Sequence, residues 1–579
     1  MIHVIFRIVK QNEMEKRSFL LTHEDYWSIW IGGFILFAGL FLFYYNAPDD
    51  YQTRHAEYDK ILQAEEEKAP IKTIEWYRAF RAQRSIKASS EPIGKFFKKV
   101  TGKPNSWTSN PLSSFYKSAT QDSLIKHEGT KVLANLIEQN KLQLSLAKEA
   151  QAKAAQLNFE NVALNLEAEA AIGTWYKGRE RSSAKKKKVN SSNTFKLGWL
   201  LLWFGILSLL FLPGIYFLGE ERNEFIQGFA FVFFIAIIAY LFGAQSNMKA
   251  LGIGYAAWAI VLGMLISNTV GTPKWVTPAL QTSWFIKTGL VLLGAEVLFN
   301  KVMAIGLPGI FVAWVTTPIV LISTYWFGQN ILKIKSKTLN MVISADMSVC
   351  GVSAAVATAA ACKAKKEELT LAIGMSMAFT SVMMIVLPLI IKGMGMTEIL
   401  GGAWIGGTID ATGAVVAAGE FLGDKALYVA ATIKMIQNIL IGIIAFGVAI
   451  YFTTSVENGE KTKIGFTEIW KRFPKFILGF IGASIAFTII YTSMGDNHAY
   501  TIIDQGVIGG LSKNIRGWLF CLAFVSIGLS TNFSVLKKHF SGGKPLILYI
   551  VGQTFNLLLT LLMAYIMFYL VFPDITASL

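Results

Sequence analysis

The sequence predicts an all-α, polytopic membrane protein whose core is a carrier of the inverted-repeat type with interrupted helices, joined to a polar helical module near the N-terminus. Three observations predict it. Apolar segments long enough to cross a bilayer recur along a chain that is 53% hydrophobic and only 16% charged, a balance unlike that of a soluble domain. Between the first two apolar segments the composition turns polar over residues 46–196. In the apolar half, two stretches of small residues each carry an aspartate, which a helix built only to face lipid excludes.

Taken in order, residues 1–45 carry Arg7, Lys10, Lys16 and Arg17 ahead of the apolar run Tyr26–Tyr45, which opens with Trp27 and Trp30. No small-residue cleavage site precedes Pro48, so the reading is an uncleaved anchor with its N-terminus inside. In the polar module, residues 46–196, the Glu128–Ala170 run places Leu133, Leu136, Leu144 and Ala147 at helical spacing and predicts a long helix or helical hairpin. Lys103–Trp107 and Asn110–Pro111 predict turns. The basic tract Arg179–Lys188 reads as a solvated flank or a contact for anionic lipid headgroups. A second anchor and connector occupy 197–224, the core runs over 225–571, and 572–579 form a tail.

Counting the first anchor, about thirteen apolar segments are expected to be membrane-embedded, some of them broken or re-entrant. They fall near 26–45, 197–218, 225–243, 251–267, 283–299, 305–327, 341–362, 369–391, 403–420, 426–452, 475–491, 515–531 and 545–571. If all span, the basic loops at Lys333–Lys337, Lys461–Lys475 and Lys537–Lys544 share the cytoplasmic face, and residues 46–196 lie outside.

The functional signal centres on Ser344–Pro388. Asp346 lies there beside Cys350-Gly351 and a run of Ser, Ala and Thr, although an unpaired charge at mid-membrane costs about 2.5 to 3.5 kcal/mol. The pattern recurs: Ser348–Ala359 aligns with Thr408–Gly419, matching Ala354 to Ala414, Val356 to Val416 and Ala357 to Ala417, with Asp410 inside the second copy. Paired segments of this kind point to two interrupted helices that build a transporter site. Ser348, Cys350, Gly351, Ser353, Thr408, Thr412 and Gly413 are then candidate substrate contacts, with Lys434 and Lys287 as basic partners. Asp346, Asp410 and Glu296 are candidates for coupling to Na⁺ or H⁺, and break carbonyls would complete a Na⁺ site. A buried pair of either aspartate with Lys434 or Lys287 is the structural alternative. Lys434, Gln437 and Asn438 share one helix face, open to an anion or to interhelical hydrogen bonds; Asn268, Asn532, Gln553 and Asn556 read as polar glue. A second similarity, Trp284–Gly294 with Trp518–Gly528, predicts helices running in opposite directions.

Other functions lose ground. The net charge of +16 lies largely in loops and flanks, so no nucleic-acid partner is implied. Cys350, Cys362 and Cys521 fit neither a disulfide framework nor a metal site, and all six histidines fall outside the apolar segments. Neither a metal-dependent enzyme nor a nucleophile with its base is legible, and no phosphate-binding glycine-lysine loop is present.

Four ordered stretches, Ala259–Thr269, Ser348–Ala355, Val415–Gly419 and Gly528–Lys538, resemble the YeiH-like family of bacterial membrane proteins named for sulfate export. The likeness covers about residues 225–571. It implies a multi-pass protein of the bacterial inner membrane and a secondary transporter of a small anion, sulfate or organosulfonate-like, coupled to a cation and needing no cofactor. Two positions depart from the family pattern, Glu296 replacing an arginine and Asp410-Ala411 a His-Glu pair. Expected partners are the anion, membrane lipid and a second copy of the chain. A receptor or scaffold using the polar module is the alternative.

Overall fold

The computed structural model describes residues 19–578 apart from 49, 87–90, 117–118, 190–196, 220, 252, 456–472 and 535–542. Among these residues the chain is helical throughout, without strands. Two of the basic loops used to orient the chain, around Lys461 and Lys537, fall largely outside them. Eight helices are long and apolar enough to cross a membrane: Glu24–Tyr45, Leu197–Phe217, Arg222–Gly243, Phe299–Ile331, Lys366–Gly393, Asp424–Phe452, Phe476–Met494 and Lys544–Val571. The other apolar segments are the helices Tyr255–Thr269, Thr282–Glu296 and Lys513–Ser530, of 15, 15 and 18 residues, and two helices each broken in the middle, as expected for some of the segments. Polar residues and glycines inside these segments cut them short, and buried neighbours make the length of a lone lipid-facing span unnecessary.

Two compact units are present, the first comprising residues 1–36, 204–488 and 512–579. Its interior holds the fully buried Trp284 and Trp518, the former edge-on to Phe211 at 4.7 Å between ring centres and the latter stacked on Phe233 at 5.1 Å. Tyr255–Thr269 crosses Lys513–Ser530 at Gly263 and Gly528, where a methyl group on either would lie 2.8 Å from the other's Cα; glycine is what lets the backbones meet. Gly289 faces Phe520 while Glu296 pairs with Arg516. Residue numbers therefore rise along one helix as they fall along the other, so Thr282–Glu296 and Lys513–Ser530 run antiparallel, as the Trp284 and Trp518 motifs predict.

The second unit comprises residues 37–203 and 489–511. Its centre is a helical hairpin, Ala119–Gln156 and Val162–Val189, in which Ala147, Ala150 and Ala154 bury against Ala168, Ile172 and Trp175. Asn161 starts the second arm by accepting from the Ala163 and Leu164 amides. Residues 103–110 are irregular, as Pro104 and the asparagines predict. The helices Tyr51–Lys68 and Ile74–Arg84 are not evident in the sequence, because the first buries only Tyr51 and His55 along its length. Residues beyond 488 join this unit: Asn497 donates to Asp59 at 2.6 Å, and Gln505 donates to the Arg84 carbonyl at 2.6 Å.

His55 is buried here, 2.9 Å from the Thr501 hydroxyl and ring to ring with His498. Burial, and then the neighbouring His498, hold its pKa below the ordinary 6.5, against the opposing pull of Asp59. The folded chain therefore binds this proton less readily than the unfolded chain. The stabilisation is complete above the unfolded pKa and is lost as pH falls through the lower folded value. Hydrogen exchange over residues 51–84 is expected to speed up as pH drops below about 6.5 once the intrinsic rate is subtracted, and His55→Gln is expected to flatten that dependence. An unchanged profile in the variant would remove the histidine from the account.

Candidate functional site

Both segments marked by the repeated motif are interrupted helices. The first consists of Lys337–Ser348 and Val352–Ala361, the second of Glu398–Thr408 and Thr412–Leu422. Ser348 and Thr408, aligned in the sequence, end the leading halves; Gly351 and Ala411, also aligned, precede the trailing halves. The first break depends on Gly351, whose φ is +57° and whose absent Cβ would meet the Ser376 hydroxyl at 3.0 Å and the Asp410 Cβ at 3.4 Å. The two breaks thus lie against each other.

A broken helix orphans carbonyls on one side and amides on the other, and in a bilayer interior each must find a partner. The carbonyls find side chains. Asn556 donates to Met347 O at 3.2 Å, Lys434 Nζ to Val349 O at 2.5 Å, and Gln553 to Thr408 O at 3.2 Å. Gln437 Nε2 lies between the breaks, 3.1 Å from Ser348 O and 3.2 Å from Gly407 O, and also 3.1 Å from the Thr317 hydroxyl. The face shared by Lys434 and Gln437, and the expected glue residues Gln553 and Asn556, therefore terminate the half-helices. Lys434 also donates to Gln437 Oε1 at 2.7 Å, and a cation at a helix C-terminus opposes the negative end of its dipole.

The starts of the trailing half-helices line a cavity of about 680 Å³. Cys350, Gly351, Val352 and Ser353 line it from the first break, and Ala411, Thr412 and Gly413 from the second. Ser348, Thr408, Asp346, Asp410 and Lys434 do not line it. Asp410 accepts from the Tyr549 hydroxyl at 2.5 Å. Asp346 is fully buried, with Ser376, Asp410 and Lys434 as its polar neighbours. Ser376 is the hydrogen-bonding side chain beside it, and neither oxygen forms an ion pair among the described residues.

Two expectations are corrected. Lys287 lines the cavity, but its ammonium bridges Glu24 and, at 2.7 Å, Asp25. It is a neutralised cation and not a free anion contact. Glu296 does not join the aspartates: it pairs with the buried Arg516 at 2.9 Å, which also reaches Glu420 at 3.3 Å and Asp424 at 3.7 Å. Sequence reasoning missed Arg516 because it stands at the edge of the 515–531 segment, where a basic residue reads as an interfacial anchor. Tyr549, Ser376 and Thr380 carried no motif; the last two belong to the small-polar run after Asp346 and were legible only as packing residues.

A family model described as Conserved hypothetical protein 698 matches residues 227–549. A UPF0324 membrane protein of Nitratidesulfovibrio vulgaris is 53% identical over 573 residues, covering 99% of each chain. The chain belongs to the UPF0324 family. A second UPF0324 membrane protein, from Rhodopirellula baltica, is 58% identical over 382 residues, or 65% of this chain and 70% of its own. The UPF0324 inner membrane protein YeiH of Escherichia coli K12 is 25% identical over 336 residues, covering 57% of this chain and 90% of its own. The YeiH resemblance seen in the motifs therefore holds at family level, and the chain is a multi-pass membrane protein. Sulfate export is named by none of these relatives. No solved structure matches.

Two substitutions test the geometry. Gly351→Ala forces a side chain into a backbone conformation costing about 1 to 3 kcal/mol, so a lowered unfolding temperature is expected; an unchanged one would mean that the break tolerates other conformations. Gln437→Leu withdraws one donor from both breaks, and orphaned buried carbonyls cost about 1 to 3 kcal/mol each. Its expected loss of thermal stability exceeds that of Leu substitutions on the lipid-facing side of the same helix.

Proposed function

We propose that the UPF0324 core is a secondary carrier of the bacterial inner membrane that moves a small anion with its coupling ion bound at Asp346 and Asp410. The observation that carries the reading is Asp346, a fully buried carboxylate with no ion-pair partner among the described residues, placed where two helix breaks meet. A fixed charge kept only for architecture is expected to be paired, as Glu296 is with Arg516. An unpaired one in this setting needs a proton or a cation of its own.

The surroundings favour the proton. A sodium ion in such a site draws on carbonyl oxygens freed by unwound helix. Here Met347, Ser348, Val349, Gly407 and Thr408 already accept side-chain N–H groups, and the Lys434 ammonium holds the Val349 carbonyl. Asp410, steadied by Tyr549, is the second carboxylate of the pair. The anion would sit in the adjacent cavity against the amides of the trailing half-helices, so that both ligands act on the same two breaks. No covalent chemistry is assigned.

The test uses the full chain in liposomes loaded with a pH-sensitive dye, with imposed gradients of sulfate, short alkanesulfonates or carboxylates. Proton movement coupled to at least one of these gradients is expected, independent of Na⁺. Asp346→Asn is expected to abolish it and Asp410→Asn to reduce it at least tenfold, both in folded protein. Wild-type coupled flux in both variants would make the carboxylates structural.

A further inference from the structure

The two aspartates at the breaks do not open into the cavity: Asp346 is 0% exposed and Asp410 1%, and neither lines it. A proton reaching Asp346 from the cavity has to pass through a neighbouring group that both accepts and donates. The polar neighbours of Asp346 are Ser376, Asp410 and Lys434. The Lys434 ammonium, a donor only, is committed to Val349 O and to Gln437 Oε1 at 2.7 Å, and Asp410 is buried as deeply as Asp346 itself. Of the three, Ser376 lines the cavity.

The fold gives this serine its place. Ser376 stands on the uninterrupted helix Lys366–Gly393 against the first break, where a Cβ on Gly351 would meet the serine Oγ at 3.0 Å and the Asp410 Cβ at 3.4 Å. The glycine that the break requires for its φ of +57° therefore also lets the hydroxyl and Asp410 approach one point. A serine hydroxyl donates one proton and accepts through two lone pairs. Its proton can turn to Asp346 or to Tyr549, both hydrogen-bonding neighbours of Ser376. Tyr549 in turn donates to Asp410 at 2.5 Å, so one side chain connects the cavity with both carboxylates. Cys350 also lines the cavity, but its hydrogen-bonding neighbours are Ser353 and the Ala354 amide, not the aspartates.

We infer that Ser376 is the proton relay between the cavity and Asp346. A hydronium ion in the cavity gives a proton to the Ser376 Oγ while the O–H bond of Ser376 releases its own proton to an Asp346 oxygen. Water is left on the cavity side, the serine stays neutral, and the carboxylate becomes a carboxylic acid. The same two transfers in reverse unload it. Asp410, Lys434 and Tyr549, the charged and titratable groups facing Asp346, remain in place without the hydroxyl, so the serine acts on the rate of loading. The inference rests on the carrier reading for its purpose, but proton loading is measured with no substrate present.

A light-triggered pH jump on the full chain in lipid nanodiscs, followed by time-resolved infrared spectroscopy, reads the carboxylic acid C=O band of Asp346, identified by its loss in Asp346→Asn. Ser376→Ala is expected to slow the rise of that band about a hundredfold, the lower end of what a positioned proton-transfer group contributes. Its amplitude once loading is complete is expected to match the wild type, which a change in the site's architecture would not allow. Ser381→Ala removes another cavity-lining hydroxyl, one that donates to Met377 O at 2.7 Å, and is expected to leave the rate unchanged. An unslowed rise in Ser376→Ala, equal slowing in Ser381→Ala, or no Asp346 band in the wild type would overturn the relay. The two readings fail separately: slowed loading in Ser376→Ala without coupled flux of any anion removes the carrier and keeps the relay, whereas proton-coupled flux together with unslowed loading in Ser376→Ala does the reverse.

Discussion

The rest of the core depends on one requirement, that peptide groups released by breaking a helix inside a membrane be satisfied there. Two helices are broken, and the solution has two unlike sides. On the carbonyl side, Gln437 and Lys434 from the helix Asp424–Ser455, with Gln553 and Asn556 from Lys544–Tyr565, supply N–H donors. On the amide side neither N-cap residue, Gly351 or Ala411, makes a side-chain cap, and both trailing half-helices line a cavity. The carbonyl ends are closed by side chains, whereas the N-cap positions are not. That division leaves both trailing half-helices beside one cavity, whose lysine, Lys287, is paired with Glu24 and Asp25.

The buried charges divide in the same way. Buried Arg516 and Glu296 pair at 2.9 Å, and Glu420 and the exposed Asp424 and Lys513 extend the cluster outward through contacts of 2.7 to 3.7 Å. Removing one member of such a buried network leaves another charge exposed to the apolar interior, so its role is to fix helices against one another. Lys287 and the acidic pair at the start of the first span serve similarly. Asp346 has no such ion pair among the described residues. The difference between these environments, more than the presence of acidic residues in apolar segments, sets Asp346 apart from the anchoring charges.

Much of this was legible in the sequence for physical reasons. The alignment of Ser348 with Thr408 worked because both copies need a helix end, a residue without a bulky side chain, and a fresh helix start at the same relative positions. Asp346 and Asp410 stood out because apolar surroundings make a carboxylate conspicuous. What could not be read was pairing across distance. Nothing local ties Lys287 to Glu24, or Glu296 to Arg516 some 220 positions later. The same limit hid the contribution of residues 489–511 to the polar module, since Asn497 meets Asp59 across 438 positions. Span lengths misled as well: a buried helix such as Thr282–Glu296 needs only 15 residues where a lipid-facing one needs about 20.

Amide hydrogen exchange at the two breaks is the most direct measurement of the central claim, made on the full chain in nanodiscs and resolved to residues 350–356 and 410–416. The account predicts rapid exchange at Val352, Ser353, Thr412 and Gly413 in the free protein, selective slowing when the cavity is occupied by an anion, and slow exchange throughout the middle of Lys366–Gly393 under both conditions. Exchange at the breaks as slow as in that uninterrupted helix, with no response to anions, would contradict it.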